Sequence, residues 1–421
     1  MSNLKFLPIT EVLKEIVDNR GKSAPLSESG IPLIATNCIK HSSIYPTFEN
    51  IRYVSEDTFK NWFRTHLKPN DILFVNKGTP GRTCLVPNPV NFCIAQDMIG
   101  FRCDEEKIYY LYLFAVLRSS FIQQKVENYH VGLVIPHFKK KDLDNLLIPI
   151  ISDQQQRRIG DLYFSLSKKI ELNNRINSEL ENLAKTIYDY WFVQFDFPDE
   201  NGTPYKSSGG KMVYNQELKR EIPAGWEVGT LSKLGDIAGG STPSTKNPLN
   251  FCHNGTAWIT PKDLSLNVGN KFISRGELDV TDAGIKEASL KIYPKGTILL
   301  SSRAPIGYMA VARNEVTTNQ GFKSFIPNKR FSIPFVYYTV KNSMNAIIKQ
   351  ASGSTFKEVS LTTLKDNVYI CLPSNTVVDF YTKKVNSIFK QQDILEQENQ
   401  QLTQLRDWLL PMLMNGQITV K

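Results

Sequence analysis

The chain has 421 residues, a length that predicts at least two domains because single hydrophobic cores rarely grow so large. Hydrophobic residues make up 41% of it and aromatic residues 11%, which is enough for packed cores and excludes a largely disordered protein. The net charge of +9 favours a polyanionic partner, since phosphates attract cationic surfaces.

The cysteines and the apolar segments indicate the cellular compartment of the protein. The 6 cysteines form no C-x-x-C pair, which argues against a zinc ribbon and is typical of reduced thiols. Charged residues interrupt the N-terminal stretch "MSNLKFLPITEVLKEI", so it does not resemble a signal peptide. No apolar run reaches the length of a membrane span. We therefore expect a cytoplasmic protein.

The globular parts of the chain form a weak internal duplication. "GIPLIATNCI" from Gly30 is matched by "GTAWITPKDL" from Gly255. "KPNDILFVNKGTP", which ends at Pro80, is matched by "YPKGTILLSSRAP", which ends at Pro305. Both of these last stretches contain a short apolar run typical of a buried strand. Identity is low, but the order of the matches is unchanged and their offset is nearly constant, which predicts two related domains.

A long helical pattern follows each globular part, with apolar residues recurring every seven positions. The first seven-residue register is Ile159, Leu166, Asn173, Leu180 and Ile187. A companion row, three positions after register residues and predicted to be buried with them, consists of Leu162, Ile176, Leu183 and Tyr190. The second register is Tyr381, Ile388, Leu395, Leu402 and Leu409, with Leu405 and Met412 as companions. Charged and polar residues at the other companion positions would weaken a long zipper between identical chains. We therefore expect the two helices of one chain to pack antiparallel; two ordinary amphipathic helices on separate domains remain the alternative.

The sequence lacks the motifs of common catalytic sites. "GGSTPSTKNP" (239–248) lacks the second glycine of a phosphate-binding P-loop and the hydroxyl residue after its lysine. "NPVN" (88–91) is not the tetrapeptide of amino-methyltransferases, and no H-E-x-x-H zinc motif is present. The 5 histidines are scattered, which indicates no metal site. We predict that the chain is not itself an enzyme.

Four stretches carry a resemblance to the specificity (S) subunits of type I restriction–modification systems, the HsdS family, over essentially the whole chain. "IPAGWEVGTLSKLGDIAGGSTPS" (222–244) is similar to the start of a target recognition domain, and "DQQQRRIGDLYFSLSKKIELNNRINSELENLAKTIYDYWF" (153–192) to the central spacer helix. "ENQQLTQLRDWLLPMLMNGQI" (398–418) is similar to the distal spacer helix, and "GSTFKEVSLTTL" (353–364) is a further family-like element. The first half lacks the Gly-Trp-Glu start and has "LPITEVLKEIVDNRGKSAP" instead.

The resemblance implies an α/β (α+β) fold with two target recognition domains in tandem. Two long antiparallel coiled-coil helices would separate them in a pseudo-twofold arrangement. The implied segments are recognition domain 1 at 1–150, the central spacer helix at 151–197, a linker at 198–221, recognition domain 2 at 222–374 and the distal spacer helix at 375–421.

The resemblance also implies a task in phage defence. Each recognition domain would read one half of a bipartite, asymmetric and gapped double-stranded DNA target, and the helices would set the spacing. Two modification (methyltransferase) subunits would dock on the helices, bind S-adenosylmethionine and methylate adenines. Restriction subunits would add translocation and cleavage driven by ATP and magnesium, so no cofactor is expected in this chain. Two alternatives stay open: a self-contained DNA methyltransferase or endonuclease with a disguised site, and a coiled-coil adaptor that binds only proteins.

Candidate DNA contacts are loop residues whose side chains suit phosphates or base edges. The phosphate candidates are Lys22, Lys40, Lys77, Arg82, Lys139 and Lys140 in the first domain and Lys246, Lys262, Arg303, Lys323 and Lys357 in the second. The base-edge candidates are Asn37, Thr79, Gln96, Ser241, Gln320, Ser354 and Thr355, and His137 is a further DNA-facing candidate. For any single one of them, an ordinary solvated side chain is about equally expected.

The long helices supply the candidates for subunit docking and the coiled coil. The predicted seam residues are Leu166, Asn173, Leu180, Ile187, Ile388, Leu395, Leu402 and Leu409, among which Asn173 is expected to fix the register. Three aromatic residues outside the predicted seam, Tyr188, Trp191 and Phe192, are expected to form an exposed docking surface for a modification subunit.

Overall fold

A computed structural model of the chain describes residues 5–19, 21–129, 136–303, 305–353, 357–414 and 417–418. The chain divides into two compact units. The first comprises Met1–Asn173 and Glu398–Lys421, and the second comprises Asn174–Gln397. Each unit therefore combines one globular part with a segment of each long helix.

The first unit holds nine strands among its described residues. They are β1 (Lys5–Pro8), β2 (Leu13–Val17), β3 (Ile31–Ile34), β4 (Arg52–Val54), β5 (Ile72–Val75), β6 (Thr83–Leu85), β7 (Cys93–Ile94), β8 (Met98–Cys103) and β9 (Leu147–Ile150). The helices are α1 (Tyr110–Arg118), α2 (Ser120–Asn128) and the start of α3 (Asp153–Tyr188). Short 3-10 turns lie at Ile9–Val12, Thr36–Cys38 and Lys140–Asn145, and a π-helical turn at Thr58–Trp62.

The strands of the first unit form a main sheet, a second sheet and a pair. The main sheet has the order β2-β8-β5-β6 and is antiparallel throughout. The second sheet has the order β4-β3-β7, in which β3 and β7 are parallel. β1 and β9 pair antiparallel, with Lys5 opposite Ile150.

The second unit begins with the hairpin of β10 (Met212–Asn215) and β11 (Arg220–Pro223). Its further strands are β12 (Glu227–Thr230), β13 (Gly235–Gly239), β14 (Phe251–Cys252), β15 (Thr256–Ile259), β16 (Phe272–Ile273), β17 (Leu278–Val280), β18 (Ile298–Ser302), β19 (Ile306–Ala312), β20 (Val316–Thr318), β21 (Lys323–Pro327) and β22 (Tyr369–Leu372). Its helices are α4 (Pro261–Leu266), α5 (Asp282–Glu287), α6 (Ile333–Asn342), α7 (Met344–Lys349), α8 (Leu361–Asp366) and most of α9 (Asn375–Met414). Short 3-10 turns lie at Leu231–Leu234 and Pro248–Asn250, and a π-helical turn at Asp189–Val193 follows α3.

The two units share their strand order. The main sheet of the second unit, β13-β21-β18-β19-β16, repeats the order of the first and adds one strand. Its second sheet, β14-β17-β15-β20, again pairs its last two strands parallel. β12 and β22 pair antiparallel as β1 and β9 do, with Glu227 opposite Leu372. The predicted tandem repeat of α/β domains is therefore confirmed.

The central strands form because their sequences are apolar on both faces. All four residues of β5 ("ILFV") and all five of β18 ("ILLSS") are buried, which is typical of strands covered on both sides. Helices α1 and α6 cover the main sheets, and nearly all their residues are buried. The core of each unit lies between its main sheet and these helices.

The start of α3 packs closely on α1 in the first unit. A Cβ atom at Gly160 would lie 2.7 Å from the backbone nitrogen of Tyr112 and 2.9 Å from the carbonyl carbon of Leu111. Only glycine allows the two backbones to approach this closely.

Within each unit, α3 and α9 run antiparallel. In the first unit, Ile159 and Tyr163 share a core with Leu410 and Leu413, whereas Asn173 donates hydrogen bonds to Glu398 and Asn399. In the second unit, Gln392 donates to the carbonyl oxygen of Asn177, and Tyr188 packs on Tyr381. In both units, residue numbers increase along α3 while those of the contacting residues on α9 decrease. This confirms the predicted antiparallel pairing.

The predicted companion rows of the two helices are wrong by one residue over most of their length, although Leu162 and Met412 are partly buried as predicted. Ile176, Leu183 and Tyr190 are 37%, 50% and 38% exposed, and Leu405 is 43% exposed. The buried companions lie four positions after each register residue. They are Tyr163, Ile170, Asn177 and Ala184 on α3 and Val385, Gln392, Asn399 and Leu413 on α9. Polar residues occupy part of this buried row, and the exposed row is more apolar, so hydrophobicity alone pointed to the wrong side of the seam.

None of the helices in the described ranges is both long enough and apolar enough to span a membrane.

Candidate nucleic-acid interface

A cleft lies at one edge of the main sheet in the first unit. Its volume is about 440 Å³, and its lining includes five of the predicted DNA contacts, Lys77, Gln96, His137, Lys139 and Lys140. Residues distant in the sequence therefore meet at one place. Lys22 is exposed and directly follows Gly21, another lining residue.

Backbone hydrogen bonds at the ends of two strands build this cleft. Asn76, which follows β5, donates from its backbone nitrogen to the carbonyl oxygen of Asp97 at 3.1 Å, and its own carbonyl oxygen accepts from the backbone nitrogen of Phe138 at 2.7 Å. Gly78 donates to the carbonyl oxygen of Pro136 at 2.9 Å and has a φ of 85°, a conformation that favours glycine. The turn after β5 is thereby tied to the segment that carries His137 and Lys139.

Acidic neighbours offset part of the positive charge of the cleft. Lys77 Nζ lies 3.8 Å from Asp97 Oδ1, and Lys140 forms an ion pair with Asp18. Burial lowers the pKa of Lys140. Lys22 and Lys139 are exposed and have no ion-pair partner within the described ranges. The cleft therefore presents a moderate positive charge rather than a dense basic patch.

The second unit repeats this edge with other side chains. Lys77 and His137 form an isolated antiparallel bridge in the first unit, and Arg303 and Glu358 form one in the second. Val359 donates to the carbonyl oxygen of Ser302 at 3.1 Å, as Phe138 does to Asn76. The backbone is shared, but a lysine–histidine pair is replaced by an arginine–glutamate pair, with 3.6 Å between Arg303 Nη1 and Glu358 Oε2.

A hydroxyl group contacts the glutamine of each edge. Ser23 Oγ donates to Gln96 Oε1 at 3.2 Å, and Thr242 Oγ1 donates to Gln320 Oε1. Ser241, beside Thr242, donates from its backbone nitrogen to Thr318 at 3.0 Å. Ser23 and Thr242 were not among the predicted contacts; their positions two and three residues after Gly21 and Gly239 were the available signal.

The other predicted DNA contacts are not among the residues that line this cleft. Asn37 Nδ2 donates to the carbonyl oxygen of Glu49 at 2.6 Å, and Lys40 forms an ion pair with the Glu49 carboxylate. Thr79 and Arg82 lie in the turn between β5 and β6. Lys262 pairs with Glu277 at 2.6 Å, and the largely buried Lys323 lies 3.4 Å from Glu358.

Four predicted DNA contacts remain. Lys246 and Lys357 are exposed. Ser354 and Thr355 lie outside the described residues. The DNA contacts as a set stay a prediction.

The predicted aromatic docking surface is wrong, because its three residues form core. Tyr188, Trp191 and Phe192 are 5%, 4% and 7% exposed. The ring of Phe192 lies 4.9 Å from that of Phe335, and Tyr188 donates to Thr339 Oγ1 at 3.1 Å. The π-helical turn Asp189–Val193 directs these rings into the second unit. None of the three has an exposed face for a partner.

The predicted seam residues are buried or partly buried. Asn173, Ile388 and Leu395 are buried, and Leu166, Leu180, Ile187, Leu402 and Leu409 are partly buried. Asn173 donates to Glu398 Oε2 at 2.8 Å and to Asn399 Oδ1 at 2.9 Å, whereas its own Oδ1 has no hydrogen-bond partner among the residues that the structure describes.

A search of the described residues finds no group of three or more His, Cys, Asp or Glu side chains arranged to hold a metal ion.

The family comparison decides which class of protein carries this repeated edge. A family model for the type I restriction modification DNA specificity domain matches residues 9–182 and again residues 223–404. The chain belongs to this family. Membership implies DNA binding and assembly with other subunits of a restriction–modification complex. It confirms the predicted identification as a specificity subunit and favours neither the enzyme nor the adaptor alternative.

Relatives of this specificity-domain protein carry matching names. It is 45% identical over 185 residues to the type I restriction enzyme MjaIX specificity subunit of Methanocaldococcus jannaschii, a match that spans 42% of either chain. It is 27% identical over 405 residues to the HindI specificity subunit of Haemophilus influenzae, covering 84% of this chain and 87% of that one. The S subunit from M. genitalium has the same fold, with a TM-score of 0.56 at 15% identity over 98% of this chain and 97% of that one.

Proposed function

We propose that this chain is the DNA-specificity subunit of a type I restriction–modification complex and that each unit reads one half of a bipartite, gapped target. The repeated sheet edge is the observation that carries this proposal. Both units bring a glutamine and a hydroxyl together from equivalent loops beside a strand end that carries a cation, but the side chains differ between the units. Two edges that differ in this way would select two unrelated half-sites, so the target would be asymmetric.

The adjacent ends of each globular part support the proposal that the two recognition domains read DNA independently of each other. Lys5 pairs with Ile150, and Glu227 pairs with Leu372, so the two ends of each part lie side by side in one antiparallel strand pair, from which β9 leads into α3 and β22 into α9. A segment whose ends are adjacent can be exchanged without changing the helices. The boundaries at 1–150 and 222–374 stay predictions that such an exchange would test.

The exposed row of α3 is a better docking surface for a modification subunit than the buried aromatic residues. Ile176 and Leu183 on α3 and Tyr190 in the π-helical turn that follows it recur every seven residues and are all exposed. An apolar row at this spacing suits a partner helix, because side chains seven residues apart lie on one face of a helix. We place the docking of two modification subunits, and through them the restriction subunits, on the long helices.

The cofactors of the complex would lie in its other subunits. S-adenosylmethionine would be held by the modification subunits, and ATP and magnesium by the restriction subunits. This chain would contribute the choice of target.

Selection of DNA from a random library tests the proposal. The full chain, reconstituted with its modification subunits, is incubated with duplexes in which two randomised blocks are separated by spacers of different lengths. Bound DNA is then sequenced. We expect two different half-sites at one preferred spacing, and exchange of residues 222–374 for the corresponding segment of a relative should change only one of them. A contiguous or symmetric target, or a change in both half-sites, would contradict the proposal.

A control separates specific binding from charge attraction. Replacing the exposed Lys22 and Lys139 by alanine should weaken binding to all sequences about equally and reduce its dependence on salt, because both contacts would be with phosphates. The half-site preferences should stay the same.

A further inference from the structure

The same hydroxyl–glutamine contact recurs in two domains whose sequences have otherwise diverged. Ser23 and Thr242 each lie in the loop that follows the first strand of a main sheet, β2 or β13. Gln96 and Gln320 each lie in the connection that leads from the second sheet into the main sheet. In both units the hydroxyl oxygen donates to the amide oxygen Oε1.

The backbone beside each glutamine is held in place as well. Ala95, which precedes Gln96, donates to the carbonyl oxygen of Ile34 at 2.9 Å. Asn319, which precedes Gln320, donates to the carbonyl oxygen of Ile259 at 3.1 Å. A glutamine side chain has several rotatable bonds and loses entropy when it is ordered. With the backbone and the amide oxygen both fixed, much of this entropy is already lost before a ligand binds.

The amide groups keep the atoms that a base edge requires. Over the described ranges, neither Nε2 atom donates a hydrogen bond to the protein. A carbonyl oxygen accepts two hydrogen bonds, so the hydroxyl leaves one acceptor position on each Oε1 atom. A glutamine that offers one donor and one acceptor matches N7 and the N6 amino group of adenine in the major groove.

Both glutamines are reachable from solvent and lie near cationic side chains. Gln96 is half-buried and lines the cleft with Lys77 and Lys139. Gln320 is exposed and is followed by Gly321, whose carbonyl oxygen accepts from the backbone nitrogen of Ser302, the neighbour of Arg303. Gln96 thus shares a cleft with groups that suit a phosphate, and the backbone beside Gln320 is bonded to the strand end that carries Arg303.

We infer that Gln96 and Gln320 each read one adenine–thymine pair, one in each half-site, and that the hydroxyls of Ser23 and Thr242 are positioning groups that orient the two amides. The inference rests on the proposed function and adds the base-reading residues and the class of base. The hydroxyls do not touch the base; they determine which edge of the amide faces it.

Single base-pair substitutions in the selected target test the inference. Binding of the full chain with its modification subunits is measured by competition for the selected duplex and for each singly substituted duplex. Ser23→Ala should lower the discrimination at one adenine–thymine pair of one half-site by about two- to tenfold, the effect of one hydrogen bond. Thr242→Val should do the same in the other half-site only.

Matched variants separate orientation from general effects on the loop. Ser29→Ala and Thr245→Val remove exposed hydroxyls from the same two loops without touching a glutamine, and they should leave discrimination unchanged. Gln96→Ala should abolish discrimination at the base pair that Ser23→Ala affects. The double variant Ser23→Ala with Gln96→Ala should lose no more than Gln96→Ala alone, because the hydroxyl acts through the amide.

The outcomes distinguish this inference from the proposed function. Loss of discrimination in Gln96→Ala but not in Ser23→Ala would overturn the positioning role. No change in either glutamine variant, or a change at a guanine–cytosine pair, would overturn the assignment of base reading, although a bipartite target in the wild type would still support the proposed function. A wild-type complex without sequence preference would overturn the proposed function instead.

Discussion

Lys271 and Glu181 form a buried ion pair in the second unit, with 2.6 Å between Nζ and Oε2. Lys271 directly precedes β16 and Glu181 lies on α3, so the pair joins the sheet to a long helix. The ammonium also donates to Gln392 Oε1 at 2.6 Å, and the backbone nitrogen of Lys271 donates to Glu396 Oε1 at 2.7 Å. The recognition sheet is therefore held against both helices by a connected polar network.

Removing one charge of this network should destabilise the chain strongly. Lys271→Met removes the buried partner of Glu181, a loss that typically costs about 3–5 kcal/mol, and the partly exposed Lys341 that still pairs with the carboxylate should keep the cost at the lower end. Urea denaturation should show this loss in the free energy of unfolding. Lys262→Met breaks an exposed pair with Glu277 and should cost less than about 1 kcal/mol. Equal effects of the two variants would show that burial of the pair does not contribute.

The ion pair also predicts the response of the second unit to acid. Burial opposes ionisation of Glu181, but Lys271 and Lys341 outweigh it and lower its pKa from 4.5 to about 2. The stabilisation is therefore complete above about pH 4.5 and is lost as the pH falls towards 2. Unfolding curves between pH 2 and 5 should show a smaller dependence on pH for Glu181→Gln than for the wild type. A parallel dependence in both proteins would contradict the depressed pKa.

Adjacent aromatic residues at the end of α3 should have separable effects. Trp191 is buried among core rings, so Trp191→Ala should reduce the free energy of unfolding by about 3–5 kcal/mol. Tyr190 is 38% exposed, so Tyr190→Ala should change stability by less than about 1 kcal/mol and weaken assembly with a modification subunit. Sedimentation of the mixed subunits measures assembly. Normal assembly in Tyr190→Ala and in Leu183→Ala would exclude the exposed row as a docking surface.

The close approach of α3 and α1 can be tested by adding one methyl group. Gly160→Ala would place Cβ 2.7 Å from a backbone nitrogen that cannot move aside, which should cost about 1–3 kcal/mol despite the better helix propensity of alanine. Ser165→Ala, on the exposed side of the same helix, is the control. Thermal unfolding compares the two. A more stable Gly160→Ala protein would show that the helices can separate without cost.

The sequence predicted the features that depend on local pattern. Apolar runs identified β5 and β18, and the seven-residue spacing identified the buried row from Ile159 to Ile187. The companion row could not be found in this way, since residues three and four positions away both lie beside a seam and the buried side carries Asn177 and Gln392. Gln392 is tolerated there because Lys271, the main-chain oxygen of Asn177 and Glu181 satisfy its amide, and the sequence of α9 alone does not show these partners.

The candidate interface could be predicted in part from residue type, which picked out Lys77, His137, Lys139 and Lys140 of the cleft, and in part from the repeat. Gln96 and Gln320 occupy one position in both units, and the structure places them alike. Asn37 and Lys40 looked equally suitable from residue type, but both contact Glu49, which a loop fold brings next to them. The aromatic residues were misplaced for a similar reason, because the rings of Phe335 and Tyr381 that cover them come from distant helices.

The division of α9 between the units has a consequence for biosynthesis. Leu410, Leu413 and Met414 belong to the same core as Ile159 and Tyr163, yet a ribosome makes the entire second unit between these two groups. At ordinary translation rates this interval lasts roughly 10–45 s. During that time the nascent first unit carries an uncovered apolar surface. The half of the protein that is synthesised first is therefore the last to be completed.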